Sequence, residues 1–323
     1  MKAIISSKYG GPETLEIQEV ATPEPKPDEV LVKVCAASIN FGNIVLLRGK
    51  PAVARLVYGL RKPKYPIPGG DISGIVEAVG NKVTAFNIGD EVYGDLSSSG
   101  WGAFAEYVTV PEKAIAHKPS NLSFEEAAAV PMAGVSALQA IRKVGKDIAG
   151  HKVLIQGASG GVGTFALQIA KSYGAEVTAV VSTRNVTNAY ELGADHVIDY
   201  KKEKLNSHAQ LYDLIIGVNG SHSISTYKHI LTTNGIVVYI GGSNSQLYET
   251  MLFGPLVSIT GKKKIYPFMQ QANQQDLVLM KELIEAGKVR PFIDRRYSLR
   301  EVPEAFTYFE EGHSQGKVVI SIP

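Results

Sequence analysis

The segment HKVLIQGASGGVGTFALQIAKSYGAEVTAVVSTRN, residues 151–185, decides the fold. The short apolar run at 153–155 is typical of a buried parallel strand. An A-x-G-x-x-G turn follows, and the apolar pattern after it predicts a helix that begins at Gly163 and ends at Gly174. Residues 177–181 predict a second strand. A strand, a glycine turn, a helix and a strand in this order predict a dinucleotide-binding unit whose helix N-terminus receives the pyrophosphate.

The end of the second predicted strand indicates which dinucleotide binds. NAD-binding units usually carry Asp or Glu about 20 residues after the glycines, to hold the ribose 2′-hydroxyl. This chain has Ser182 and Arg184 there, with no acid in residues 182–185. Hydroxyls and a guanidinium bind a 2′-phosphate, which a carboxylate would repel. We therefore predict NADP(H) as the cofactor, with an ordinary surface charge as the alternative for Arg184.

Length and composition bound the class of protein. The 323 residues favour two domains, and 45% hydrophobic and 20% charged residues are typical of a globular protein. A net charge of +2 predicts neither nucleic acid nor a membrane as a partner. Cys35 is the only cysteine, which excludes an internal disulfide and a cysteine-rich zinc site. Because no signal or transit peptide is visible, we expect a cytoplasmic protein.

Two kinds of sequence pattern alternate along the chain. In the first third, short runs of Val, Ile, Leu and Tyr broken by Gly, Pro and Asp predict an antiparallel, barrel-like domain. Helices and strands alternate after Ser123, the predicted cap of a helix, and this predicts a doubly wound parallel sheet. The last residues return to the first pattern. We therefore predict an α/β protein with a barrel-like domain at 1–120 and 289–323 and a dinucleotide-binding domain at 121–288.

Seven motifs spread along nearly the whole chain point to one family. They are GGDISGIVEAVG (69–80), NIGDEVYG (87–94), GAFAEYVTVP (102–111), EEAAAVPMAGVSAL (125–138), QGASGGVGTFALQIAK (156–171), LGADHVIDY (192–200) and EGHSQGKVV (311–319). In order and spacing the chain resembles the medium-chain dehydrogenase/reductase superfamily, in its zinc-independent quinone oxidoreductase branch near zeta-crystallin and the reticulon-interacting reductases. The resemblance implies a GroES-like barrel domain beside a Rossmann domain. It also implies an NADPH-dependent reductase of quinones or α,β-unsaturated carbonyls.

The resemblance further implies which residues hold the cofactor. Those around the phosphates and the adenosine are Ser159, Gly160, Gly161, Val162, Gly163, Ser182, Arg184 and Tyr200. Those at strand ends or on the nicotinamide side are Ser136, Asn219, Gly241, Gly242 and Lys317. An ordinary tight turn is the alternative for each glycine.

Zinc-dependent members of the superfamily carry a catalytic metal, so the corresponding positions must be compared. Asn40 stands in place of a cysteine ligand, and Gly70 and Asp71 stand in place of the histidine and glutamate of a G-H-E motif. Residues 131–133 offer no thiolate or imidazole. One carboxylate does not make a zinc site, and we therefore predict an enzyme without metal.

Quinones and α,β-unsaturated carbonyls suit a metal-free site, because conjugation delocalises the charge that develops after hydride arrives. Asn40 is the residue expected to orient the carbonyl through its amide N–H groups, with a structural cap as the alternative. Tyr58 and Tyr65 are the candidate proton donors. The alternative is that they only pack in the structure and that solvent delivers the proton. Relatives often have an acid and a tyrosine where this chain has Asn43 and Val45, so roles assigned to those residues do not transfer.

Two other functions stay open at this point: a zinc-free alcohol or carbonyl reductase, and an NADPH-binding structural or regulatory protein with little turnover. The apolar run at 256–260 predicts a strand at an exposed sheet edge, through which we expect a homodimer to form. The basic segment at 48–68 is expected either to form part of the substrate mouth or to be a solvated loop.

Overall fold

A computed structural model describes residues 1–145, 147–205, 210–218, 222–241 and 262–323. The strands in these ranges are β1 (Lys2–Ser6), β2 (Leu15–Glu19), β3 (Glu29–Ile39), β4 (Asp71–Val79), β5 (Glu91–Asp95), β6 (Tyr107–Pro111), β7 (Ile115–His117), β8 (Lys152–Gln156), β9 (Glu176–Val181), β10 (His196–Asp199), β11 (Tyr212–Val218), β12 (Leu231–Ile240), β13 (Lys264–Pro267), β14 (Ile293–Ser298) and β15 (Lys317–Ser321). The α-helices are α1 (Phe41–Arg48), α2 (Arg55–Tyr58), α3 (Phe124–Ala128), α4 (Pro131–Ile141), α5 (Gly161–Ser172), α6 (Val186–Glu191), α7 (Ile224–His229), α8 (Gln274–Glu285) and α9 (Val302–Glu310).

Three sequence predictions fall outside the described residues. These are the cofactor contacts of Asn219 and Gly242 and the edge strand at 256–260. The homodimer expected from that strand therefore stays a prediction. Within the described ranges, no helix has the length and apolar character needed to cross a bilayer.

The chain forms two compact units. One contains Met1–Val135, Ala272–Ala286 and Pro291–Pro323, and the other contains Ser136–Gln271 and Gly287–Arg290. We call them the barrel unit and the nucleotide unit.

This division differs from the predicted one in residues 121–135 and 272–286, which pack with the barrel unit, and in residues 289–290, which pack with the nucleotide unit. The reason for the second difference is visible in α8: the Tyr93 hydroxyl donates to the Leu277 carbonyl, and Ser120 donates to the Glu285 carboxylate. The assignment of functional domains stays a prediction.

The nucleotide unit contains a six-stranded parallel sheet in the order β10-β9-β8-β11-β12-β13. Numbered from the first strand of the unit, this is the order 3-2-1-4-5-6 of a Rossmann fold, which confirms the predicted doubly wound sheet. The order reverses between β8 and β11. In such sheets the ligand crevice lies at the carboxyl ends of the strands at this reversal.

The segment that decided the fold forms the expected elements with shifted bounds. β8 and β9 appear as predicted, and Gly174 ends the helical segment with φ of +80°. α5 begins at Gly161, two residues before the predicted start, because helical backbone extends through glycines that carry no apolar side chain. The predicted cap of α3 is confirmed: the Ser123 hydroxyl accepts a hydrogen bond from the Glu126 N–H at 3.2 Å.

The barrel unit is built on a seven-stranded sheet in the order β14-β15-β3-β4-β5-β7, with β6 also paired to β3. All these pairs are antiparallel except β14 with β15. Apolar side chains from the strands and from α9 form its core, where the Phe104 and Phe306 rings meet edge to face at 5.8 Å. The antiparallel barrel-like domain is thus confirmed.

Candidate active site

Strand pairing brings three distant residues to one end of the barrel sheet. In the β15–β3 pair Val318 faces Ile39, so Lys317 and Asn40 are the next residues at the same end. In the β3–β4 pair Ser38 faces Asp71. Asn40, Asp71 and Lys317 therefore meet although 277 residues separate the first from the last.

Asp71 is fully buried at the centre of this cluster and accepts hydrogen bonds on both carboxylate oxygens. Oδ2 accepts from the Asn40 amide at 2.7 Å and from the Ser38 hydroxyl at 2.9 Å, and the Lys317 Nζ lies at 3.5 Å. Oδ1 accepts from the Met132 N–H at 3.0 Å. Burial raises the pKa of Asp71, while the Lys317 charge and these hydrogen bonds oppose the rise.

Lys317 fixes which way the Asn40 amide points. Its ammonium donates to the Asn40 Oδ1 at 2.5 Å and to the Ile39 carbonyl at 3.2 Å. The Oδ1 faces a cation and the Nδ2 faces the Asp71 carboxylate. If the amide were flipped, its N–H groups would face the ammonium and its oxygen would face the carboxylate, and neither pair can form a hydrogen bond. Burial lowers the pKa of Lys317, and the attraction of Asp71 opposes this. Lys317 as a cofactor contact stays a prediction, and its ammonium is engaged by the cluster.

Asn40 also occupies the position that starts α1, which was its alternative role. Its main-chain N–H donates to the Asn43 Oδ1 at 2.7 Å. The side-chain amide, however, faces Asp71 and Lys317. The Asn43 Nδ2 is buried and has no partner within the described ranges.

The indole of Trp101 packs beside the cluster where two glycines make room for it. A Cβ at Gly42 would lie 3.0 Å from the indole, and a Cβ at Gly70 would lie 3.3 Å from it. Trp101 has φ of +63°, a conformation that costs energy for a residue other than glycine. The ring is 3% exposed, so the close approach at both glycines holds it in this conformation.

The two predicted proton donors lie near Trp101: the Tyr58 ring contacts the indole, and the Tyr65 ring would lie 4.0 Å from a Cβ at Gly100. The Tyr58 ring meets the Trp101 ring edge-on at 6.0 Å, and burial raises the pKa of Tyr58. The Lys64 ammonium lies over the Tyr65 ring, 5.2 Å from the ring centre. In the part of the chain that the structure describes, no hydrogen bond joins either phenol to Asn40. The structure therefore brings Asn40, Asp71 and Lys317 together, but not the tyrosines with them.

In the nucleotide unit, the glycine turn between β8 and α5 has the backbone geometry of a phosphate cradle. A Cβ at Gly163 would lie 2.1 Å from the Gly157 carbonyl oxygen, so only glycine allows this close packing of helix and strand. At Gly160 the nearest atom to a Cβ is the Gly157 carbonyl oxygen at 3.6 Å, an ordinary van der Waals contact, so a methyl group fits there without a clash. Ser159 precedes this position, and Gly161 and Val162 begin the helix, where the first N–H groups have no partner within the helix itself.

The adjacent ends of β9 and β10 form the corner predicted for the 2′-phosphate. Ser182 caps a short turn that contains Arg184, an exposed residue, and its Oγ accepts from the Asn185 amide at 3.2 Å. Tyr200 follows β10, is 54% exposed, and donates its main-chain N–H to the Val181 carbonyl. Ser182, Arg184 and Tyr200 thus lie at the ends of two neighbouring strands.

Asp199 at this corner was missed by the sequence analysis, which found no acid after β9. Its carboxylate accepts from the Thr183 hydroxyl at 2.7 Å and from the Lys201 N–H at 3.0 Å, and the Lys202 Nζ lies at 3.6 Å. The Thr183 hydrogen bond, followed by the Lys201 N–H and Lys202, holds the pKa of Asp199 below its usual range. The signal was hidden because Asp199 ends the next strand rather than β9.

Two further predicted cofactor residues are described. Ser136 is 5% exposed and lies within α4. Gly241 follows β12 with φ of +70°, and within the described ranges no atom lies within 4 Å of a Cβ position there.

Comparisons with known proteins cover the whole chain. The alcohol dehydrogenase GroES-like domain family matches residues 26–120, and the zinc-binding dehydrogenase family matches residues 192–320. A 2-methylene-furan-3-one reductase of Solanum lycopersicum is 34% identical over 99% of this chain and 79% of its own length. The mitochondrial NAD(P)H oxidoreductase RTN4IP1 of Mus musculus is 35% identical over 100% of this chain and 89% of its own. The quinone oxidoreductase of Coxiella burnetii has a structure with a TM-score of 0.88 and 31% identity, covering 100% of this chain and 99% of that one.

The chain belongs to the medium-chain dehydrogenase/reductase superfamily.

Membership confirms the family predicted from the seven motifs and the pairing of a GroES-like with a Rossmann domain. The chain is therefore an oxidoreductase of this superfamily that uses a nicotinamide cofactor. The cytoplasmic location predicted from the sequence stays a prediction.

One of the two matching families of this superfamily is described as zinc-binding. The side chains at positions 40, 70 and 71, which were compared above with the zinc ligands of metal-dependent members, do not fit that metal. Gly70 has no side chain, and the indole of Trp101 fills the space next to it. Both oxygens of Asp71 accept hydrogen bonds from the protein, and the Asn40 oxygen accepts from an ammonium. Among the described residues, no three His, Cys, Asp or Glu side chains converge as metal ligands do.

Proposed function

We propose that this oxidoreductase is NADPH-dependent and zinc-independent, and that it reduces quinones or α,β-unsaturated carbonyls. The observation that carries the proposal is the fixed amide of Asn40, at the position of a zinc ligand in metal-dependent relatives. When bound, the nicotinamide supplies the hydride. The chain's own residues then have to hold the substrate carbonyl and to deliver a proton.

Asn40 has a hydrogen-bond donor left for a substrate. The amide nitrogen carries two hydrogens, and the described structure uses one of them on Asp71. Lys317 and Asp71 hold the amide in one orientation, so the remaining N–H is preorganised for a carbonyl oxygen. A single neutral donor provides weak stabilisation compared with a metal ion. This favours quinones and enones, whose conjugation spreads the developing negative charge.

The relatives support the same substrate class. The tomato protein is a reductase of 2-methylene-furan-3-one, which is an enone, and the Coxiella burnetii protein is a quinone oxidoreductase. Both substrates place a carbonyl in conjugation with a carbon–carbon double bond. The common requirement is a site that holds one carbonyl oxygen, as Asn40 is proposed to do.

Charges at the ends of β9 and β10 support NADPH over NADH. Arg184 and Lys201 are exposed there, and the Lys201 ammonium lies 5.4 Å from the centre of the Tyr200 ring. Asp199 would repel a 2′-phosphate, but its carboxylate is bound by the Thr183 hydroxyl and approached by Lys202. Arg184, Lys201 and Lys202 therefore outnumber the two acids described here, Asp199 and Glu203, whose Oε1 accepts the Asp199 N–H at 3.3 Å. The guanidinium provides the planar fork that suits a phosphate.

The glycine turn supports binding of the diphosphate. Because Gly160 carries no side chain, a phosphate can approach the N–H groups of Gly161 and Val162, and the α5 dipole favours its negative charge. Ser159, Gly163, Ser136 and Gly241 complete the proposed contacts in the described ranges. Asn219 and Gly242 stay predictions from the resemblance.

Tyr58 and Tyr65 stay candidates for the proton donor. Burial raises the pKa of Tyr58, so its phenol remains protonated at neutral pH. Solvent is the alternative source of the proton. A double variant, Tyr58→Phe with Tyr65→Phe, that keeps an unchanged turnover number would assign the step to solvent.

The test is the oxidation of NADPH, followed at its absorbance band, with a small quinone, an enone and a simple aldehyde as acceptors. We expect turnover of the quinone or the enone, slower turnover with NADH, and no effect of a chelator. Asn40→Ala should lower kcat with the conjugated acceptors while the KM for NADPH stays unchanged. Turnover of aldehydes alone, or loss of turnover on chelation that zinc restores, would reject the proposal.

A further inference from the structure

A stripe of apolar side chains on the barrel unit faces solvent. Val53, Leu56, Val57 and Leu60 are 59%, 73%, 66% and 69% exposed. Val53, Leu56 and Val57 are spaced i, i+3, i+4 within the helical residues 52–58, which places them on one face, and Leu60 follows Gly59, where the helix ends. A surface helix normally turns such a stripe towards the core. Here the stripe is turned outwards.

Contacts on the opposite face hold the helix in this orientation. The Arg55 Nε donates to the Gly49 carbonyl at 3.0 Å, and its guanidinium lies 4.6 Å from the centre of the Tyr9 ring. The Tyr58 ring packs edge-on against Trp101. Because Arg55 and Tyr58 anchor one side of the helix to the protein, the apolar residues on the other side are presented to solvent by a fixed framework.

The stripe lies in a segment that has many basic residues and no acid. Residues 41–70 contain no Asp or Glu, and they contain Arg48, Lys50, Arg55, Arg61, Lys62 and Lys64. The whole chain has a net charge of +2 and this segment alone has +6, so the rest of the chain carries −4. We expected no membrane partner because the overall charge is small. That small value results from the cancellation of a basic segment by an acidic remainder of the chain.

The charges closest to the end of the stripe are available to a partner. Arg61, Lys62 and Lys64 follow Leu60 directly and are exposed, and Lys50 precedes the helix and is exposed. No ion pair engages these four side chains within the described ranges. An exposed apolar stripe with basic residues at its border is typical of a surface that lies in the headgroup region of an anionic bilayer.

We propose that this face of the barrel unit docks on an anionic lipid surface. Leu56, Val57 and Leu60 enter the boundary between headgroups and acyl chains, and the basic residues meet the lipid phosphates. A second copy of this chain fits less well, because a two-fold contact would bring the same basic residues of both copies together. A small apolar substrate also fits less well, because ligand pockets are concave and bury most of their ligand, whereas this stripe is mostly exposed.

The proposal is tested by flotation of the full chain with vesicles. One set is phosphatidylcholine alone, and the other is equal parts of phosphatidylcholine and phosphatidylglycerol. We expect the protein to float with the anionic vesicles and not with the neutral ones, and to be released as salt is raised. Free glycerol phosphate at the same phosphate concentration should not compete, because it offers no acyl boundary.

Two variants separate the apolar from the electrostatic part. Leu56→Ser combined with Leu60→Ser should lower the vesicle partition coefficient at least about tenfold. Arg61→Gln, Lys62→Gln and Lys64→Gln together should lower it about a hundredfold, since each basic residue near an anionic surface contributes about 1 kcal/mol.

Matched controls lie elsewhere on the surface. Ile88→Ser removes an apolar side chain that is 69% exposed. Lys8→Gln, Lys82→Gln and Lys288→Gln remove three exposed charges outside the segment. Both controls should keep the partition coefficient of the unchanged protein, and all variants should keep its urea unfolding midpoint.

Several results would overturn the inference. One is equal binding to neutral and anionic vesicles, and another is equal loss of binding in the controls. A mass by light scattering that falls from dimer to monomer in the Leu56/Leu60 variant, without vesicle binding by the unchanged protein, would assign the stripe to a second copy. A changed KM for the acceptor without vesicle binding would assign it to substrate. The inference does not depend on the proposed function. Vesicle binding alone decides it, whatever the assays of hydride transfer show.

Discussion

Lys317 and Asn40 are neighbours because β15 pairs antiparallel with β3, and this contact orients the amide at the centre of the proposed site. The Lys317 ammonium lies 2.5 Å from the Asn40 Oδ1 and 3.5 Å from the Asp71 Oδ2. Both charged groups are buried, with 3% and 0% exposure. A buried ion pair of this kind gives orientation more reliably than it gives stability.

The pair predicts strong coupling between two substitutions. Lys317→Met leaves the Asp71 carboxylate buried without its cation, which should cost about 3–5 kcal/mol of unfolding free energy. Asp71→Asn should also destabilise, because the ammonium then lacks its anion. The double variant should lose clearly less than the sum of the two, as measured by urea unfolding. Additive losses would show that the two charges do not interact.

The glycine turn predicts different outcomes for two similar substitutions. Gly163→Ala places a methyl group 2.1 Å from the Gly157 oxygen, so it should lower the urea unfolding midpoint. Gly160→Ala meets no atom closer than 3.6 Å, so the midpoint should stay unchanged. Its methyl enters the proposed phosphate space and should raise the KM for NADPH at least about tenfold. An unchanged KM in a folded Gly160→Ala protein would remove the diphosphate from this turn.

The 2′-phosphate corner predicts a coenzyme-specific effect of Arg184. Arg184→Ala should raise the KM for NADPH about thirtyfold and that for NADH less than about twofold, because only NADPH carries the phosphate. Arg300→Ala, which removes an exposed arginine of the barrel unit, is the control. Equal effects on both coenzymes would contradict the assignment.

Asp199 provides the opposite test at the same corner. Asp199→Asn removes a negative charge while keeping an acceptor for the Thr183 hydroxyl. The preference for NADPH over NADH, measured as the ratio of kcat/KM values, should therefore increase. A decrease would mean that Asp199 helps to bind the phosphate side through Lys202 rather than opposing it.

Glu285 predicts a pH dependence of the contact between α8 and the loop before α3. Its hydrogen bond from Lys281, followed by those from Ser120, lowers the pKa of Glu285 to about 2 from the usual 4.5. A carboxyl with a lowered pKa stabilises the folded state above its unfolded pKa, and this is lost as pH falls from about 4.5 towards 2. Because the group is exposed, solvent screening keeps the contribution below about 1 kcal/mol.

Glu285→Gln should therefore differ from the unchanged protein in unfolding free energy at neutral pH, and the difference should shrink as the pH is lowered to 2. Glu282→Gln on the same helix is the control, since it removes an exposed glutamate three residues before Glu285. A difference that stays constant with pH would show that the hydrogen bonds, and not the charge, matter.

The parallel sheet was predictable from the sequence because its signals are local. The apolar run of β8, the glycine turn and α5 follow one another without interruption. The spacing of apolar residues identifies the strand and the helix, and the glycines identify the turn. The start of α5 was placed two residues late, since glycines contribute no apolar side chain to the pattern.

The cluster around Asp71 could not be predicted, because it depends on strand pairing across 246 residues. The sequence placed Asn40 at the carbonyl and Lys317 at the nicotinamide side as separate features. The register of β3 with β15 and with β4 shows that they belong to one hydrogen-bonded group with Asp71. Asp199 was missed for the same reason, since only the order of the sheet places β10 beside β9.

The chain has one tryptophan, and its indole lies against Gly70, the residue before Asp71. Intrinsic emission excited at the indole band therefore originates from a single point next to the charged cluster. Repacking of that cluster, in any of the variants above, can be followed optically on the unlabelled protein, with no dye attached and no averaging over other fluorophores of the same type.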